Sequence, residues 1–153
     1  MSDWKRSTRE VAFEQFSEDV KAEIQEHIKL YNLGDILSDA LICIETHSEK
    51  GRQGFFRSAE TIRHYAIATP RWLVWAIREK ESPVVLSALL KDVVIQDYAD
   101  TPFVKLVPDC GIQVTGKFTD VAENASAFLG LEENAAGNKF KEVVIRAVQD
   151  AKK

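Results

Sequence analysis

Between residues 40 and 118 the chain carries seven short apolar segments separated by turns, and no turn is long enough to hold a crossover helix. Parallel neighbours in a sheet need such a crossover, so the strands these segments predict pair largely antiparallel. The segments are ALICIET (40–46), TIRHYAIA (61–68), RWLVWAIR (71–78), PVVLSAL (83–89), VVIQDY (93–98), FVKLV (103–107) and GIQVTGKF (111–118). Thr69-Pro70 and Pro108-Asp109 are turn signals between them.

RWLVWAIR constrains the architecture further. Successive side chains on a strand point to opposite faces, so Trp72 and Trp75 diverge and cannot stack on one flat ligand. Trp75 shares its face with Leu73 and Ile77, and Trp72 shares the other with Val74 and Ala76. With both faces apolar, both must be covered: one by the interior of a sandwich or barrel, the other by a helix or an interface.

Helices are available on both sides. Phe13, Phe16, Val20, Ile24, Ile28 and Tyr31 recur every three or four residues and predict helix over 8–32. Ser7 with Glu10 has capping-box spacing, and Ser17 followed by Glu18 and Asp19 is a second start signal, so one helix and two helices both fit. Gly34 is a stop signal just past the pattern. Near the C-terminus Asp120 and Glu123 have N-cap and N3 spacing, and Gly130 interrupts. An apolar stripe of Phe140, Val143, Val144, Ala147, Val148 and Ala151 then marks a helix. The expected fold is α+β: a bent seven-stranded antiparallel sheet or partly open barrel, a C-terminal helix, a helical extension over residues 1–35 and one compact unit over 36–153.

A chain of 153 residues suits a single domain with its own core. Its net charge of −4 argues against broad binding to nucleic acid, which needs many cations facing phosphates. Cys43 and Cys110 each sit in strand-like runs and read as buried reduced thiols, and the chain lacks the clustered Cys and His of a structural zinc site. No metal and no cofactor is expected. The polar start MSDWKRSTRE and the absence of any apolar run of membrane-spanning length lead to the expectation of a cytoplasmic protein without a transmembrane segment.

No catalytic motif stands out, and no enzyme activity is expected. His27 reads as a surface helix residue, while His47 and His64 lie on strands. Cys43, Glu45 and His47 share one strand face, but a gradient from core to rim explains them without chemistry. Asp97, Asp100 and Asp109 fall near strand ends and read as solvated. Gly111 and Gly116 lack the Lys-Ser/Thr that a phosphate loop requires. Charge is uneven: residues 47–80 hold seven Lys or Arg and three acids.

HYAIATPRWLVWAI followed by SPVVLSALLKDVVIQDY resembles the pattern of bacterial pleckstrin-homology-like (PH-like, GRAM-like) domains. The matching positions are Thr69 and Arg71, then Trp72 to Trp75, then Leu90, Lys91, Asp92, Val93 and Ile95, and the likeness covers residues 36–150. The resemblance implies a helix plugging one end of a bent sheet, here 132–151 with Phe140, Val144 and Val148 facing in. It also implies a binding role, through protein contacts with self-association, or through anionic lipid or phosphoinositide. For lipid the implied residues are Lys50, Arg52, Phe55 and Arg57 in the hairpin loop 48–58, with Arg71. A small-ligand carrier or enzyme in a barrel-like α+β fold is the third expectation.

Overall fold

The computed structural model describes residues 4–51 and 60–153. It is an α+β protein with two antiparallel sheets, which do not close into a barrel, and two helices of more than one turn. Sheet A is a five-stranded meander of β1 (Trp4–Glu10), β2 (Ile42–Lys50), β3 (Glu60–Ala68), β4 (Trp72–Arg78) and β5 (Val84–Leu89), in that spatial order. Sheet B orders β6 (Val93–Asp97), β7 (Gly111–Gly116) and β8 (Ala125–Gly130) side by side. Helix α1 (Glu18–Leu30) lies between β1 and β2 in sequence, and α2 (Ala135–Ala151) ends the chain.

Both faces of sheet A are buried, as RWLVWAIR requires. On the inner face Ile42, Ile44, Ala66, Leu73 and Trp75 meet Val93, Ile112, Val114 and Leu129 of sheet B and Phe140, Val144 and Val148 of α2. Trp75 is fully buried, with the Phe118 ring edge-on at 5.1 Å. On the outer face Cys43, Tyr65, Ile67, Val74 and Ala76 lie beneath Phe16, Val20 and Ile24, and Trp72 packs at the margin of this layer. The odd spacing of the tryptophans therefore separates two cores, one on each side of a single strand.

The N-terminal segment departs from expectation. Residues 4–10 are not helical; they pair with β2 in a continuous register from Trp4↔Lys50 to Glu10↔Ile44. Trp4, Arg6 and Thr8 alternate toward the interior, but two of these three are polar, and this conceals the period of two. Only from Glu18 does the helix run, with Ser17 at the N-cap position and Glu18 and Asp19 in the first turn. Asn32, at φ 56°, and not Gly34, takes the left-handed position that ends it. The Asn32 and Leu33 amides return to Lys29 and Ile28 carbonyls, a Schellman closure.

Two further differences lie downstream. FVKLV is not a strand: Pro102–Lys105 is a short 3-10 turn, with Pro102 in its first turn. Ala125–Gly130, where the sequence predicts helix, is β8, paired with β7 from Gly111↔Gly130 to Gly116↔Ala125. Asp120, the expected N-cap, instead adopts a left-handed turn conformation at φ 63°. For this alanine-containing segment the free edge of β7 outweighs local helix propensity. α2 starts at Asn134, whose side chain accepts the Gly137 amide at 2.8 Å.

Candidate functional site

Of the residues expected to contact a ligand, Arg52, Phe55 and Arg57 lie outside the described residues. Lys50 ends β2, its Nζ 5.7 Å from the centre of the Trp4 ring. Arg71 sits in the β3–β4 turn at the other end of sheet A. The eight steps of β3 separate the two ends by about 26 Å at 3.3 Å per residue, so the structure does not bring Arg71 to Lys50. Arg71 lines a cleft of about 310 Å³ with Asp35, Asp39 and Trp72, two acids beside one cation. Thr69 explains its turn locally: the buried hydroxyl accepts the Trp72 amide at 2.9 Å and the Arg71 amide at 3.3 Å.

The histidines divide differently from expectation. His27 is buried, not at the surface: its Nε2 lies 2.8 Å from Ser87 Oγ where α1 crosses β5, and its ring packs against Tyr31 at 4.7 Å. Burial lowers its pKa, with Asp120 opposing that shift. Because Ser87 is itself fully buried, the pair joins two elements and does not present a nucleophile. His64 faces the interior with Nδ1 buried and unpartnered, and burial together with the Arg6 charge pushes its pKa down to about 4. His47 lies 3.4 Å from Glu49 at the half-exposed rim.

Neither cysteine is poised for chemistry. Burial, reinforced by Glu14 and Glu10, raises the Cys43 thiol to about 11, which disfavours the thiolate. Cys110 is half-buried, not a core thiol as expected, and burial and a hydrogen bond with Glu133 push its pKa upward. The three aspartates separate as well. Asp97 caps the Ala99 amide and holds Lys141 at 3.1 Å, while Asp100 is exposed. Asp109 accepts from Arg6 Nε at 3.0 Å and Nη2 at 2.6 Å, with both side chains more than nine-tenths buried. Among the described residues no group of His, Cys, Asp and Glu forms a metal-ligand cluster.

Arg6 anchors a polar patch inside the fold. Its Nη1 also donates to Ser48 Oγ at 2.6 Å. Next to it Thr8 Oγ1 and Thr46 Oγ1 bond at 2.9 Å, and Glu132 accepts the Thr8 amide at 3.0 Å. These bonds fasten β1 to the segment entering α2. They satisfy polar groups inside the fold.

The open surface lies elsewhere. Among the described residues β6 is an edge strand of sheet B, with β7 on one side only. A groove of about 700 Å³ runs along α2 beside the end of β6, lined by Asp97, Asn138, Lys141, Ile145, Arg146 and Gln149. Val94 on β6 is exposed. No sequence signal marks this groove, because the apolar stripe of α2 points inward and its polar side reads as ordinary solvated surface. Comparison with protein-family models, with curated proteins and with solved structures gives no match.

Proposed function

We propose that the chain is a non-catalytic binding module, PH-like in element order, that holds an extended protein segment along the outer edge of β6 and above α2, with a second copy of the chain among its partners. The observation that carries this reading is the edge strand beside a groove. An unpaired edge offers backbone donors and acceptors to an incoming strand, and side-chain pockets alongside it supply selectivity. Lys141, Arg146, Asn138 and Gln149 give the groove mixed polar character suited to peptide groups.

Two other features support the proposal. Strands β2 to β8 followed by α2 repeat the seven-strand-plus-helix order that the PH-like resemblance implies. The space between the sheets is filled by Trp75, Leu73 and Phe140, which favours a module acting through its surface over a carrier of a small ligand. Peptides selected by display against the folded protein test the reading, with amide shifts followed by NMR. Perturbations at 94–97 and 138–149, weakened about tenfold by Arg146→Glu, are expected. Selected peptides whose shifts fall elsewhere refute the proposed site.

A further inference from the structure

The segment joining β6 to β7 holds three exposed large apolar side chains within five residues, among them the most exposed one described, Leu106. Leu106 is 83% exposed, Val107 64% and Phe103 52%. They stand on the 3-10 turn Pro102–Lys105 and the residues just after it, and Pro102 and Pro108 bracket the group. Together they place three exposed apolar side chains on one short turn, a patch that can enter a soft apolar medium.

The turn is braced. Tyr98 donates its hydroxyl to the Val107 carbonyl at 2.6 Å and is itself packed edge-on against Phe128 at 4.8 Å. The Phe103 carbonyl accepts both the Leu106 amide at 3.0 Å and the Val107 amide at 2.8 Å. Thr101 Oγ1 donates to the Tyr98 carbonyl at 2.8 Å. Much of the backbone polarity of the turn is thus satisfied internally, the condition for entering hydrocarbon without uncompensated amides. Behind the turn, Asp109 is committed to Arg6, whose guanidinium stacks 5.4 Å from Trp4.

Charge selects among apolar partners. Lys105 lies in the middle of the apolar turn, and no acidic residue occurs between 101 and 108. No ion pair holds Lys105 among the described residues. An uncommitted ammonium on a flexible stem among inserted apolar side chains suits phosphate headgroups, which the cation reaches by extending along the interface. We propose that the Phe103–Val107 turn is a membrane-contact tip that inserts Leu106, Val107 and Phe103 at the boundary of a phospholipid surface, with Lys105 at the phosphates. This contact uses residues separate from the β6–α2 groove and stands or falls independently of it.

Vesicle co-sedimentation of the full chain tests the proposal, using pure phosphatidylcholine and phosphatidylcholine with 30% phosphatidylglycerol. Three side chains insert more weakly than one acyl anchor, so half-binding is expected on the order of 1 mM lipid. Anionic vesicles should bind about fivefold tighter, the worth of one lysine near the surface. Leu106→Asp/Val107→Asp should abolish binding to both compositions, with an unchanged circular dichroism spectrum showing that the fold persists. Lys105→Ala should remove only the anionic preference. The proposal is overturned by no sedimentation of the wild type up to about 5 mM lipid, or by undiminished binding of the double variant. It is also overturned if ultracentrifugation shows a dimer that the double variant loses while vesicles are ignored.

Discussion

His64 makes the stability of this protein depend on mild acid in a way the structure quantifies. Its imidazole faces the interior of sheet A, opposite Thr46 on β2 and Ile77 on β4, with Nδ1 buried and without a partner. Burial and the nearby Arg6 hold its pKa at about 4, against an ordinary 6.5. Between those values the unfolded chain takes up a proton that the folded chain refuses. The stability tied to neutral His64 is therefore complete above pH 6.5 and is lost as pH falls toward 4. Linkage with these two values gives a loss of about 2.5 kcal/mol at pH 4.5 relative to pH 8. With an m-value of about 2 kcal/mol/M, the urea midpoint should fall by about 1.2 M over that range. Urea titrations at pH 8, 6.5, 5.5 and 4.5 measure it in the wild type and in His64→Leu, which keeps an apolar side chain of similar size. His27, lowered in the same direction by burial, and the carboxylates titrate in both proteins, so the difference between the two curves reports His64. Parallel curves, with the same slope below pH 6.5, would refute the assignment of His64 as a buried neutral imidazole.

Other consequences follow from packing and charge. Trp75→Ala should cost about 3–5 kcal/mol, because it opens a cavity where both sheets and Phe118 meet; thermal or urea unfolding measures it, and a cost below 1 kcal/mol would contradict the filled interior. Asp109→Ala should cost about 3 kcal/mol or more by leaving the Arg6 guanidinium buried without its partner, while the double change Arg6→Met/Asp109→Leu should recover much of that loss. Gly111→Ala should destabilise strongly: φ is 152° and an added Cβ would collide with the Leu129 carbonyl across the β7–β8 ladder. Hydrogen exchange should then quicken first in β8.

Sheet A from β2 to β5 was legible in the sequence because its signal is redundant. Each strand carries a run of apolar residues, each turn carries Pro or charge, and the two tryptophans on opposite faces require a cover on both sides. The helix that supplies the outer cover is the stretch Val20, Ile24 and Ile28, and Ser17 was one of its two visible starts. β1 was hidden for a physical reason. Two of its three inward residues are Arg6 and Thr8, and they are stable inside only because Asp109, Ser48, Thr46 and Glu132 meet them, partners up to 124 positions away along the chain. A pattern of hydrophobicity cannot register a strand whose interior face is mostly polar. β8 was hidden by the converse: its alanines suit a helix, and only the edge of β7 makes them a strand.

The candidate surfaces were less legible still, because each depends on what a residue lacks. VVIQD reads as a strand, but nothing in those five residues says that one side of it will have no neighbour. FVKLV reads as a strand too, since its composition is that of one. It becomes an exposed turn because Pro102 lies within its first turn, the Phe103 carbonyl closes the turn on Leu106 and Val107, and among the described residues no strand pairs with it. The apolar residues of such a segment carry the same signal whether they are destined for a core or for an outside partner. Their exposure is therefore informative in proportion to how well the rest of the chain is buried. Trp75, Phe140, Leu73 and Ile24 are all fully buried. Leu30, Leu41, Val84 and Val94 are also exposed, but they stand singly along the chain, which is ordinary for a protein surface. Three exposed apolar side chains gathered within five residues at one braced turn ask for a cause outside the fold, and a phospholipid surface supplies one that the lysine between them fits.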